Sequence, residues 1–209
     1  MSLVDIATQV VTPVTPVLGY VNTAAVSPDG YLYLNNVPYG EAAGDLLKYD
    51  LSTGEQLGDL PLTVGISLIR FSPSGKRVYI PVPGGSSGQG YIAIVDSESM
   101  QQVYTIPQCG TDFAVAPDGN IWSLCFPVGS SSIYEISGRI FSVIGVFSPT
   151  SAPVGISVSP DDGQVVINES GPSYGFQVID PGTGSTAFIQ TDISFLKLYG
   201  LVFRPAYIQ

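Results

Sequence analysis

One turn recurs down this chain at nearly constant spacing: "VSPDGYLYL", "FSPSGKRVYI", "VAPDGNIWSL", "VSPDDGQVVI" and, last, "FRPAYIQ". Its prolines are Pro28, Pro73, Pro117, Pro160 and Pro205, separated by 45, 44, 43 and 45 residues. A period of this size marks a repeat architecture, in which each unit stacks on its neighbours because it cannot bury its apolar face alone. Within the first four turns proline presets φ and glycine accepts a conformation other residues resist; the last has the proline without the glycine. The flanking segments are short, apolar and partly alternating, so each turn reads as the tip of a β-hairpin.

The first complete unit carries four such segments. "NTAAV" and "YLYLNN" flank the proline turn, and "LLKYDL" and "QLGDLPL" flank a second turn, "STGE". The second unit repeats the plan with "SLIRF", "RVYIPV", "YIAIVD" and "QQVYTI", the third with "DFAVA", "NIWSLCF", "SIYEIS" and "IFSVIGVF", and the fourth with "GISVS", "QVVINE", "GFQVID" and "STAFIQ". Four strands in about 45 residues is the length of one propeller blade. Asp50, Asp96 and Asp180 end the third strand at matching places, where a carboxylate caps the next turn by accepting backbone N–H groups. The third unit has Ile136, Ser137 and Gly138 there instead.

After the fourth unit "LYGLVFRPAYIQ" supplies a first strand, the turn and the start of a second strand. "SLVDIATQVVTPV" aligns with the second half of a unit, placing Asp5 with Asp50, and so reads as third and fourth strands. The expectation is an all-β, five-bladed β-propeller of four-stranded antiparallel blades. It is a single domain over residues 1–209, with blades at about 20–63, 64–108, 109–152 and 153–193, and a fifth shared between 194–209 and 1–19. Sharing a blade closes the ring with backbone hydrogen bonds and removes open strand edges. The competing arrangement lets the terminal strands complete a neighbouring molecule.

The units at "AVSPDGYLYLNN…LLKYDLSTGEQL" and "FSPSGKRVYIPV…GYIAIVDSESMQQV" resemble the YVTN family of β-propeller repeats, with a proline-glycine turn, an aromatic-aliphatic strand and an Asp-x-x-Thr/Ser-Gly turn. The resemblance extends over essentially the whole chain and is weakest in the third unit. It implies blade architecture and says little about chemistry. Relatives commonly form rings of about seven blades, so five would be a small member.

Composition narrows function. Seventeen acidic residues against seven basic ones give a net charge of -10, which repels phosphate backbones, so nucleic acid is not an expected partner. Twenty-four glycines, 17 prolines and 12 tyrosines favour strands and turns over helices. No apolar run is long enough to span a bilayer, so no membrane insertion is expected. The start, "MSLVDIATQV", shows no secretory signal. Few lysines and many Ser, Thr and Tyr residues suit a surface engaged by neighbours, on a cell or virion rather than in the cytoplasm, with the compartment left open.

The chain has no histidine, which excludes Ser-His-Asp and Cys-His mechanisms. Propeller lactonases, which the expected fold resembles in outline, gather carboxylates and asparagines around a divalent ion in the channel. At the matching places this chain has Asp112 alone, its counterparts being Thr23, Leu68, Gly155 and Gly200. One carboxylate does not make a calcium site of six to eight oxygens. No metal or cofactor is expected. Arg70 is a charge inside a first strand; it either pairs with Asp112 or faces the channel and recognises an anion. Trp122 reads as core. Asn35, Asn36 and Asn168 read as caps where strands run out. "PGGSSGQG" lacks the Lys-Ser/Thr of a phosphate loop and reads as a connector, and "NES" at Asn168 formally matches a glycosylation acceptor.

Cys109 and Cys125 bracket the hairpin at Pro117 and fit no zinc spacing. Buried free thiols are the ordinary reading, and a disulfide is the other. The variable segments are the loops between second and third strands, which in a propeller share a face with the links between blades. Such loops carry binding while blades hold them. Tyr39 and Tyr174, set among glycine and proline, are candidate contacts there. The expected function is a non-catalytic module for protein partners or self-assembly. The alternative is a lactonase- or hydrolase-like enzyme with a channel site near Asp112 and Arg70.

Overall fold

The computed structural model describes residues 2–4, 11–13, 19–84, 90–107, 109–125, 131–170 and 175–190. Among them every regular element is a β-strand. Four antiparallel sheets of four strands follow one another along the chain. The first holds β3 (Tyr20–Val26), β4 (Tyr31–Val37), β5 (Gly44–Asp50) and β6 (Gln56–Leu62). The second holds β7 (Arg70–Phe71), β8 (Arg77–Val82), β9 (Tyr91–Asp96) and β10 (Gln101–Pro107). The third holds β11 (Cys109–Val115), β12 (Ile121–Cys125), β13 (Ser132–Ile136) and β14 (Val143–Phe147). The fourth holds β15 (Ala152–Val158), β16 (Val165–Ser170), β17 (Gly175–Ile179) and β18 (Thr186–Gln190).

A further pair, β1 (Ser2–Val4) and β2 (Val11–Pro13), runs antiparallel with Leu3 opposite Thr12. These are the two strands expected from the N-terminal segment. Asp5 and the strands expected from residues 194–209 lie outside the described residues.

The recurring turn explains the hairpins. The amide of Gly30 donates to the Ser27 carbonyl at 3.0 Å, that of Gly75 to Ser72 at 2.9 Å and that of Gly119 to Ala116 at 2.9 Å. Proline stands at the second position of all three turns, and the closing glycine has positive φ, 88° at Gly30, 73° at Gly75 and 92° at Gly119. At the outer turns Asp50 Oδ1 accepts the amides of Ser52 and Thr53, and Asp96 Oδ1 those of Glu98 and Ser99. In the third sheet the Ser137 hydroxyl accepts the amides of Arg139 and Ile140, replacing the carboxylate that the sequence lacks there.

Burial follows position in the sheet. β4 is buried along nearly its whole length, whereas β3 and β6 alternate, because middle strands are covered on both faces and outer ones are not. The chain forms two compact units, Met1–Val82 with Ala93–Thr105, and Pro83–Ile92 with Ile106–Gln209. In the first, Tyr33 of β4 packs on Phe71 of β7 with ring centroids 5.1 Å apart. In the second, Trp122 and Leu124 share a core with Ile156 and Ile167 of the next sheet, and Trp122 lies 5.2 Å from the Phe147 ring.

Two sequence expectations need correction. The strand expected over "SLIRF" is only Arg70–Phe71. Just before that stretch, the amide of Ile66 is taken by Asn35 Oδ1 at 3.0 Å and its carbonyl by Asn22 Nδ2 at 2.7 Å. The approach to β7 is thereby drawn to the preceding sheet. Asn35, Asn36 and Asn168 do not cap strand ends; they sit inside β4 and β16 and are buried.

Candidate functional site

The inner strands carry bulges near their starts, between Val21 and Thr23, between Cys109 and Phe113, and between Pro153 and Gly155. A bulge re-aims a side chain out of the ladder. Asn22, at the first bulge, reaches the carbonyl of Ile66. Asp112, at the second, accepts the Phe113 amide at 2.9 Å on Oδ1 and the Ile156 amide at 3.1 Å on Oδ2. Asp112 therefore joins the third sheet to the fourth. Arg70 lies in the other compact unit, exposed and opposite Tyr79.

Tyr39 stands on the loop between β4 and β5 and is 82% exposed. The Glu41 amide donates to the Pro38 carbonyl at 3.1 Å, closing a turn around Tyr39 and Gly40, and Gly40 has φ +84°. Glycine with positive φ at the third position of the turn is the placement a type II turn requires. The base of the loop is pinned. Gly65, in the link to the second sheet, donates to the Ala42 carbonyl at 2.9 Å, and Asn35 Nδ2 donates to the Asp45 carbonyl at 3.3 Å. The second-to-third-strand loop and the link between sheets therefore share one end of this unit. The result is an exposed aromatic ring held on a short, hydrogen-bonded pedestal. Tyr174 and residues 85–89 of the glycine-rich connector lie outside the described residues.

Lys48 is a buried cation that sequence reasoning did not single out. Its Nζ donates to the Ser97 carbonyl at 2.8 Å and lies 4.1 Å from the centroid of the Tyr31 ring, exchanging water for a carbonyl and a π face. The neighbouring Tyr33 hydroxyl is pushed far above the usual phenol range, chiefly by burial. Lys48 is legible only once β4 and β5 are paired, because their register sets it opposite Tyr33.

The cysteines are not free thiols. Cys109 and Cys125 are register partners of β11 and β12 and form a disulfide, with Cα atoms 4.2 Å apart. Burial at 8% exposure keeps the Asn168 side chain from serving as a glycan acceptor in the folded chain. Among the described residues no group of three His, Cys, Asp or Glu side chains is placed to hold a metal ion. A cavity of about 250 Å³ opens between the turns of the third and fourth sheets, lined by Pro117, Asp118, Trp122 and Asp162 among others. Asp118 and Asp162 both bond within their own turns, to Asn120 and Gln164.

No protein-family model matches the chain, and no curated protein matches it in sequence. Solved structures do match in fold. Hydrazine synthase of Kuenenia stuttgartiensis is similar at a TM-score of 0.68 and 21% identity, over 91% of this chain and 60% of that one. The WD40 repeats of RRP9 match at 0.59 and 15%, over 84% and 55%, and the Dos1 propeller at 0.59 and 20%, over 86% and 49%. The chain folds as β-propeller blades. It spans about half to three fifths of the length of these solved chains. Blade architecture accounts for the repeat, the buried middle strands and the side chains that tie one blade to the next. Among the described residues no helix is long and apolar enough to cross a membrane.

Proposed function

We propose that this chain is a non-catalytic, five-bladed propeller of the YVTN type that binds protein partners or further copies of itself through the loops at one end of its blades. The observation that carries the reading is the Tyr39 turn. A tyrosine 82% exposed on a pinned loop offers a large amphipathic contact surface with little conformational freedom left to lose on binding. Asp112, the carboxylate on which a channel enzyme would depend, is hydrogen-bonded to two backbone amides as an inter-blade tie. A net charge of -10 favours protein over nucleic acid as the partner. The Cys109–Cys125 disulfide suits an oxidising compartment, which supports a cell or virion surface. In this reading the β1–β2 pair supplies the outer strands of the fifth blade.

The test compares the parent with Tyr39→Ala and Asp112→Ala. Tyr39→Ala should keep the parental melting temperature and weaken self-association in sedimentation, or the binding of a purified partner. Saturable lactone hydrolysis by the parent, abolished in Asp112→Ala, would contradict the non-catalytic reading. So would association that survives Tyr39→Ala but is lost on altering Asp29, Ser74 and Asp118 at the opposite turns.

A further inference from the structure

Glu169 and Gln177 are buried on one face of the fourth blade, at 2% and 4% exposure. In the ladder Glu169 is opposite Gly175 and Gln177 is opposite Ile167, so the two are diagonal neighbours on β16 and β17. Diagonal positions lie within reach of long side chains. Both hold the same stretch of chain, the link from the third blade to the fourth. The Thr150 amide donates to Glu169 Oε1 at 2.7 Å, and Gln177 Nε2 donates to the Ser148 carbonyl at 3.2 Å. The Ser151 hydroxyl adds a bond to the Ser170 carbonyl at 3.0 Å. Yet Glu169 Oε2 and Gln177 Oε1 are both buried without a hydrogen-bond partner.

Two orphaned acceptors on diagonal positions of one pair of strands are costly as they stand, since each has lost water and gained no partner. A single proton resolves both. We propose that Glu169 and Gln177 form a proton-dependent clamp on the link at residues 148–151, in which protonated Glu169 donates from Oε2 to Gln177 Oε1. The proton comes from solvent, and no other bond changes. The chain of donors then runs unbroken from the Thr150 amide through Glu169 and Gln177 to the Ser148 carbonyl. On ionisation the Oε2 charge faces Gln177 Oε1, two acceptors repel, and the link loosens.

The surroundings agree. β15, β17 and the 148–151 link carry no titratable side chain; in the third blade the titratable groups on the strands are Asp112, Tyr134 and Glu135, and its turns add Asp118 and Arg139. The titration of Glu169 is moved upward by burial, against a smaller opposing pull from the Thr150 and Ser151 amides. A carboxyl raised in the folded state contributes stability that is complete below the unfolded value of about 4.3 and is lost as pH rises through the folded value.

The test is an NMR titration of the Glu169 side-chain carboxyl in the full chain, assigned by its loss in Glu169→Gln. The parent should titrate above about 4.3, and Gln177→Leu should lower the midpoint by removing the acceptor. Burial alone would leave that midpoint unchanged or raise it, which would overturn the shared proton. If Gln177→Leu does not fold, the parent still decides: a midpoint at or below about 4.3, or one that moves on adding calcium, contradicts the clamp. Glu169→Gln, which can donate at any pH, should gain in melting temperature over the parent as pH rises; a difference independent of pH would count against the proposal.

Discussion

Ile156 donates its backbone N–H to Asp112 Oδ2 at 3.1 Å across 44 residues of sequence, the same separation at which Asn22 Nδ2 donates to the Ile66 carbonyl at 2.7 Å. The repeat period is thus also a bonding distance. One side chain near the head of an inner strand satisfies a main-chain group entering the next blade, and so fixes the offset between blades.

Removing such a tie should cost stability. Asp112→Ala leaves the amide of Ile156, a residue 5% exposed, without its acceptor. The expected loss is about 1–3 kcal/mol in urea unfolding. Asp112→Asn keeps one carbonyl acceptor and should recover part of it. Unchanged stability in Asp112→Ala would show that the contact does not join the blades.

Local chemistry was legible in the sequence, and pairing across blades was not. The Ser-Pro-Asp-Gly turns and the aspartates at 50, 96 and 180 act on their own neighbours within a few residues, so their types disclosed the hairpins. Asn35 reads as a cap because a polar residue near the end of an apolar run looks like one until a neighbouring blade supplies Ile66. Lys48, Glu169 and Gln177 gave no signal, since each is explained by a partner 19 to 49 residues away. The cysteines depended on strand register, which only the paired β11 and β12 settle.

Opening the disulfide should be felt. Cys109 and Cys125 are 16 residues apart, and closing a loop of that size is worth roughly 3 kcal/mol in the chain-entropy model. The double variant Cys109→Ala with Cys125→Ala is expected to melt several degrees lower than the parent. Two thiols titrating in the untreated, denatured protein would contradict the bond.

Acid should weaken the second blade. The amides of Ser99 and Glu98 and the Arg77 guanidinium hold the Asp96 carboxyl below the usual range, the Ser99 amide most strongly. A carboxyl lowered in the folded state contributes stability that is present above the unfolded value of about 3.9 and is lost as pH falls through the folded one. With the side chain 26% exposed, that contribution is at most about 1 kcal/mol. The stability gap between parent and Asp96→Ala should therefore be full above about pH 5 and narrow below about pH 4. A gap that does not change with pH would rule out the linkage.

If β1 and β2 complete a fifth blade within the same molecule, deleting residues 1–13 strips two strands from the closing sheet and leaves its inner edge unpaired. Thermal unfolding of that truncated chain, run beside size-exclusion chromatography, tests closure most directly. The expected result is aggregation, or a melting temperature lower by about 10 °C or more. A truncated monomer that melts with the parent would show that the blades do not close through the N-terminal strands.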